Sequence, residues 1–331
     1  MMKEADFWKT DENAVICGLC AHGCRIEDGD VGLCRVRKNQ NGTLYSLVYG
    51  KVASLTPDPI EKKPLYHFHP GTKALSFGTV GCNFSCLYCQ NMSLSQGDPS
   101  DTYLRKMSVD EIVKKAKRYD GIAWTYNEPT VSYEFSYDVF KELKEQDGGY
   151  TVYVTNGYME REPLEKIAPY LDAVNIDVKA FRDEFYREIV GAKLEPVLET
   201  CKRALELDIH VELTYLVVPG YNDSREEIAE FCSWVRDTLS ENTVVHFSRF
   251  HPDHKMRDVS PTPEKKMREA REIARKVGLN YVYLGNLPAD NDLYCPGCGE
   301  VLLKRGYFSS EKHKLQDGRC SKCGEYIHLR Y

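Results

Sequence analysis

The sequence predicts an α/β fold, a partial (β/α)6 barrel of the TIM-like kind with a cysteine-rich segment at each end. Three observations predict it. Between residues 74 and 277, short apolar runs alternate six times with stretches of helical periodicity, which implies parallel strands joined by crossover helices. Polar and cysteine motifs recur where successive strands end, the place where a β/α barrel assembles its site, and this selects a barrel over a doubly wound sheet. Eleven of the 13 cysteines fall into three groups, the pattern of metal ligation in a reducing compartment rather than of a disulfide framework.

The elements follow in order. Residues 1–66 form the Cys-rich head, with a hairpin at Asn41-Gly42 and then TPDPIEKKPLYHFHPG, whose prolines and charges predict a linking segment against the main body. The core spans 67–288. Its strands are predicted at 74–80, 121–126, 151–155, 173–177, 210–218 and 244–250, and its helices near 109–118, 132–145, 161–168, 194–207, 225–237 and 264–277. Ser108 and Glu111 form a capping box, with Met107 and Ile112 as a hydrophobic staple, and Ser224 with Glu227 repeats the box. Met267, Ala270, Ala274 and Val277 share one face of the last helix. The two ungrouped cysteines read as packing residues: Cys232 continues the stripe Ile228, Phe231, Val235, and Cys201 sits between Val197 and Leu205. Residues 289–331 form the tail.

Composition narrows the class. A hydrophobic fraction of 42% with 28% charged residues is ordinary for a soluble globular chain. No apolar run approaches the roughly 18 residues of a membrane helix. The start, MMKEADFWKTDENAV, lacks an apolar stretch or cleavage site, so a cytoplasmic protein is expected. A net charge of -6 argues against a protein that coats nucleic acid.

The chemistry concentrates at Cys82, Cys86 and Cys89, spaced C-x3-C-x2-C. Four-iron cubanes are normally held by four thiolates, so three leave one iron free to bind a small molecule through nitrogen and oxygen. That suits the amino and carboxylate groups of S-adenosylmethionine, held beside an electron donor. A structural zinc site completed by a remote residue is the competing reading. The spacing, with Tyr88 before the third cysteine, resembles the radical SAM superfamily.

Further motifs resemble those of pyruvate formate-lyase activating enzymes. Tyr126-Asn127-Glu128-Pro129 stands where those relatives carry Gly-Gly-Glu-Pro against the methionine amino group. The resemblance implies that Asn127 and Glu128 meet this group, although Tyr126-Asn127 replaces two glycines. Thr155-Asn156-Gly157 resembles a loop lining the ligand pocket; Val154 replaces an aspartate there, so the relatives' monovalent-cation site is not carried over. Asp177-Val178-Lys179 resembles an Asp-Leu-Lys that contacts ribose and carboxylate. His251 stands where the relatives place a histidine against the adenosine. Plain readings remain for each: a solvated carboxylate at Glu128, a surface ion pair at Asp177 and Lys179, an incidental histidine at His251. Glu212 and Thr214 share a strand face, and the Val217–Asp223 segment that follows resembles a strand-to-loop segment of the activating enzymes and is expected to shape the pocket rather than do chemistry. His67 and His69 receive no role.

At the tail, Cys295, Cys298, Cys320 and Cys323 have the paired spacing of a zinc ribbon, whose four thiolates close a tetrahedral structural site. From Cys295 to Tyr331 there are seven Lys or Arg against four Asp or Glu, a surface that solvent or an acidic partner would satisfy. At the head, Cys17, Cys20, Cys24 and Cys34 suit zinc or an auxiliary iron-sulfur cluster. Four nearby glycines and few apolar residues to stabilise the loop favour zinc.

Together with Pro59–Pro64, these motifs resemble the radical SAM enzymes of the AmmeMemoRadiSam system across nearly the whole chain. The resemblance implies a 4Fe-4S cluster that cleaves S-adenosylmethionine reductively to a 5′-deoxyadenosyl radical, which abstracts hydrogen from a substrate, as activating enzymes do from a protein. It also implies AMMECR1-type and Memo-type partner proteins. Transfer of an aminocarboxypropyl group after cleavage of a different carbon-sulfur bond fits the same residues. A non-enzymatic module with three zinc sites that docks nucleic acid or protein is the rival from another class.

Overall fold

The computed structural model describes residues 2–306 and 308–331. Its centre is an eight-stranded sheet. Seven strands lie side by side in chain order, each parallel to the next: β1 (Lys73–Gly78), β2 (Gly121–Trp124), β3 (Tyr150–Thr155), β4 (Ala173–Asp177), β5 (His210–Val217), β6 (Val244–Arg249) and β7 (Val282–Gly285). This sequential order is that of a partial barrel, and among the described residues β7 does not pair back to close it. The strands are almost wholly buried, as parallel strands covered on both faces must be.

The six crossover helices are α1 (Val109–Ala116), α2 (Tyr133–Glu145), α3 (Arg161–Ile167), α4 (Glu195–Glu206), α5 (Arg225–Trp234) and α6 (Glu264–Val277). All six β/α units expected from periodicity are present, and β7 is added after the last of them. Both arms of the Ser108–Glu111 capping box form. The second box is half made: Ser224 caps Glu227, but the Glu227 carboxylate accepts instead from Phe181 N and the Tyr215 hydroxyl. Cys201 and Cys232 are fully buried, whereas Leu205 is exposed, so Cys201 packs from Val197 inward.

Part of the predicted linking segment is a strand. Ser54–Pro59 pairs antiparallel with β1 and forms the outer edge of the main sheet, ahead of the boundary expected at 66. Pro57 and Pro59 masked it, yet an edge strand tolerates residues that cannot donate outward. The chain then runs under the amino ends of the strands, where Glu212 of β5 is fully buried. The Glu212 carboxylate accepts from Tyr66 N at 2.9 Å and His67 N at 2.7 Å, and contacts the rings of His210 and His246. Asn175 donates to Pro64 O and accepts from Thr214 Oγ1. Glu212 therefore anchors the barrel floor, while Thr214 lines a cavity at the opposite ends of the strands. His67 joins this floor to the tail through Tyr283 Oη and His328 O.

The head contains two small antiparallel sheets, Trp8–Asp11 with Ala14–Cys17 and Arg25–Glu27, and Lys3–Glu4 with Thr43–Ser46 and Arg37–Gln40. The predicted hairpin turns at Asn41-Gly42, both with positive φ. Val15, Leu19 and Ile26 join the main core, so the head is more apolar inside than its composition suggests. Tail strands Leu293–Tyr294, Val301–Arg305 and Ser310–Lys312 pack Leu302 and Leu303 against Tyr281 and Tyr283. No helix among the described residues is long and apolar enough to cross a membrane.

Candidate active site

At the carboxyl ends of the strands lies a cavity of about 470 Å³. Cys82, Cys86, Cys89, Asn127, Glu128, Thr155, Asn156, Asp177, Lys179 and His251 all line it. These are the ten residues singled out in the core sequence, drawn from five separate strand ends. The convergence follows from the sequential strand order, which brings each β-to-loop junction to one rim.

The cysteine loop leaves β1 at Gly81, whose φ is +95° and whose missing side chain would meet Val36 at 2.6 Å and the Cys34 carbonyl at 2.9 Å. Its backbone is clasped on two sides. Ser85 N and Leu87 N donate to Val190 O and Ile189 O, and Leu87 O accepts from Lys255 N. The short helical stretch Asp183–Val190 that supplies these carbonyls was not foreseen, because its few residues carry no clear period. Phe84 N donates to Cys82 Sγ at 3.3 Å, and Asn156 Nδ2 lies 3.8 Å from the same sulfur.

Burial pushes the Cys82 thiol well above its ordinary value, with the Glu128 carboxylate adding to the effect. Burial pushes Cys86 up to about 12, while the Lys179 cation pulls the other way. Lys179 donates to Asp177 Oδ2 at 2.7 Å. Burial alone would lower the Lys179 ammonium, but Asp177, Cys86 and Cys89 together hold it above its ordinary value. The Tyr88 hydroxyl, buried beside Cys86 and Asp177, has no hydrogen-bond partner among the described residues. Three thiols, a cation fixed among them and an unpaired hydroxyl suit an anionic metal–sulfur centre, since a bound metal deprotonates coordinating thiols outright.

Glu128 is a clamp between strand ends. Its Oε1 accepts from Thr130 N, Thr130 Oγ1 and Thr155 Oγ1, and its Oε2 from Asn156 N, at 2.6–3.0 Å. Burial raises this carboxyl, and the four donors oppose that rise. A carboxylate has about four acceptor positions, so the capacity left over is on Oε2. The plain reading of Glu128 as a solvated carboxylate is overturned, because it is 3% exposed. Asn127 accepts from Thr79 N and donates to Gly81 O, tying β2 to the cysteine loop. Gly157 turns the next loop at φ +70°, where a side chain would strike Ile176 at 2.8 Å. Asn222 donates to Lys179 O, so the Val217–Asp223 segment positions the lysine. His251 is exposed at the rim.

Tyr126 adopts φ +73°, the backbone state that glycine would supply. Its ring lies under Lys63 Nζ at 4.7 Å, and its hydroxyl donates to Asp58, which also holds Lys62 and Lys63 at 2.7 Å. Lys62 and Lys63 line the cavity and were missed. Their one signal was a pair of cations between prolines at 59 and 64.

The tail quartet is compact. Cys295 and Cys323 sulfurs are 3.5 Å apart, those of Cys298 and Cys320 3.7 Å, and all four lie within 4.8 Å of one another. Its two turns repeat one pattern: Cys295 N and Cys320 N donate to Glu300 O and Glu325 O, and Gly299 N and Gly324 N donate back to the cysteine carbonyls. Among the described residues this is the one group of three or more candidate ligands drawn so close.

Residues 77–232 match the family model of the radical SAM superfamily. The chain belongs to the radical SAM superfamily. An uncharacterized protein of Methanocaldococcus jannaschii is 48% identical to it over 99% of both chains. Pyruvate formate-lyase 1-activating enzyme of Escherichia coli K12 is 25% identical, over 63% of this chain and 91% of that protein. GTP 3',8-cyclase of Limosilactobacillus fermentum is 26% identical, over 64% and 65%. The chain is therefore an enzyme of the radical SAM type, and the superfamily implies a 4Fe-4S cluster, S-adenosylmethionine and an electron donor. The radical SAM match covers neither cysteine-rich end, both of which the M. jannaschii relative spans.

Proposed function

We propose that Cys82, Cys86 and Cys89 hold the 4Fe-4S cluster, that S-adenosylmethionine occupies the cavity beside them, and that the enzyme abstracts hydrogen from a further substrate in the manner of the activating enzymes. The observation that carries this reading is the meeting of three half-buried thiols with Glu128, Asp177 and Lys179 in one cavity. When bound, the two groups supply an electron and a carbon-sulfur bond whose reductive cleavage yields a hydrogen-abstracting radical.

The chain's own residues bind and orient. Glu128 Oε2 offers an acceptor to an ammonium while its other contacts keep the strand ends in register. Lys179 presents a cation to a carboxylate, and Asp177 an acceptor to a ribose hydroxyl. Tyr126 and Asn127 hold the intervening turn against the cysteine loop. The tail quartet is assigned zinc: with Zn–S bonds of about 2.3 Å, a tetrahedral site sets sulfurs about 3.8 Å apart, close to the spacing found there.

The test is an oxygen-free preparation reduced with dithionite and given S-adenosylmethionine, with products identified by mass spectrometry. A brown protein that releases 5′-deoxyadenosine supports the proposal. Methylthioadenosine would redirect it to the other carbon-sulfur bond. A colourless protein without turnover would replace it with the zinc-module reading.

A further inference from the structure

We propose that Cys17, Cys20, Cys24 and Cys34 hold a second iron–sulfur cluster, with Arg37 donating hydrogen bonds to its thiolates. This reverses the preference for zinc drawn from composition, and it stands independently of the reaction in the main cavity.

The first support is convergence. Cys17 N donates to Cys24 O at 2.9 Å, Gly23 N to Cys20 O, and Arg35 N to Gly32 O, folding the four cysteines toward one another. Cys17 and Cys34 are buried, and Cys20 and Cys24 half-buried. All four are free of disulfides.

The second support is Arg37. Its side chain is 2% exposed, and Nη2 serves Asp6 O at 2.7 Å and Glu134 Oε1 at 2.8 Å. Among the described residues Nε and Nη1 have no hydrogen-bond partner, although Cys17 and Cys34 lie near enough for their charges to act on this guanidinium. A guanidinium cannot shed its proton, and each buried donor left unpaired carries the full penalty of its lost hydration. A cluster of metal-bound thiolates supplies the missing acceptors and the compensating negative charge.

The third support distinguishes a cluster from a single ion. The tail sulfurs have drawn to within 4.8 Å of one another, while no three head thiols have. Cys82, Cys86 and Cys89 likewise do not form such a group. A tetrahedral ion needs sulfurs about 3.8 Å apart, whereas a cubane spreads its thiolates over separate irons. The head also lies against the main cysteine loop, with His22 Nε2 2.7 Å from Asn83 O.

Iron, sulfide and zinc are counted in the full chain, purified and reconstituted without oxygen, and in the triple variant Cys82→Ser, Cys86→Ser, Cys89→Ser. The wild type is expected to hold about eight iron and about one zinc, and the triple variant to keep about four iron. Iron lost entirely from the triple variant, with either two zinc or one, overturns the proposal whatever the main cavity does. Should the triple variant fail to fold, the variant Cys17→Ser, Cys20→Ser, Cys24→Ser, Cys34→Ser takes its place, and an iron count unchanged from wild type overturns the proposal. In the triple background, Arg37→Gln is expected to weaken iron retention against a chelator about 10–100-fold, and unchanged retention removes Arg37 from the site.

Discussion

In the tail, two turns with matching hydrogen bonds bring four sulfurs within 4.8 Å of one another. In the core, three cysteines stand apart around about 470 Å³ of space, with Lys179, Glu128 and the unpaired Tyr88 hydroxyl facing the same volume. The side chain is the same in both places, so its surroundings set the difference. A closed donor set saturates its metal and serves the fold, whereas three donors at a cavity reserve a position for a ligand. The tail therefore depends on local backbone geometry, and the core on distant strands arriving at one rim.

The sharpest way to break the comparison is to exchange the consequences of losing one sulfur. Cys89→Ala is expected to abolish turnover and the main cluster, while zinc content and the unfolding midpoint stay close to wild type, as metal analysis and thermal scans would show. Turnover surviving in this variant would refute the site. Glu128→Gln comes next: an amide placed among four donors leaves at least one unsatisfied, costing about 1–3 kcal/mol of stability and sharply weakening S-adenosylmethionine binding, measurable by denaturant titration and calorimetry. Cys298→Ser should release zinc and expose the tail to protease, with iron content and turnover per iron unchanged. Loss of iron in that variant would show that the tail is not a separate structural unit.

The smallest effect concerns Asp58. Burial raises its carboxyl, but Lys62, Lys63 and Tyr126 together hold it below the usual carboxylate range. Its folded value is thus lower than its unfolded one, so its contribution is fully present above about pH 4 and fades as pH falls through the folded value. Stability measured from pH 6 downward should decline below pH 4, and Asp58→Asn should flatten that decline. An equally steep curve in the variant would show that the Lys62–Lys63–Tyr126 cluster is no tighter than solvent.

Much of the core was legible because its signals are local. The C-x3-C-x2-C spacing, the six apolar runs and the Ser108–Glu111 box each occupy a few consecutive residues. The misses share the opposite character. Ser54–Pro59 looked like a linker because its prolines hide an edge strand, and Lys62 and Lys63 acquire meaning only once Asp58 and Tyr126, 68 residues apart, are joined. The case for zinc at the head rested on sparse apolar residues, yet Val15, Leu19 and Ile26 are buried in the main core.

By itself the sequence determined the order of strands and helices, the three cysteine groups and the chemical class, since periodicity and ligand spacing are properties of short windows. Tertiary structure alone decided that Glu128 clamps two strand ends, that Glu212 anchors the segment beneath the barrel across 146 residues, and that Arg37 keeps two donors unspent beside the head cysteines. Those roles depend on which groups remain unpaired after the sheet has set its register, and a one-dimensional pattern does not carry that accounting.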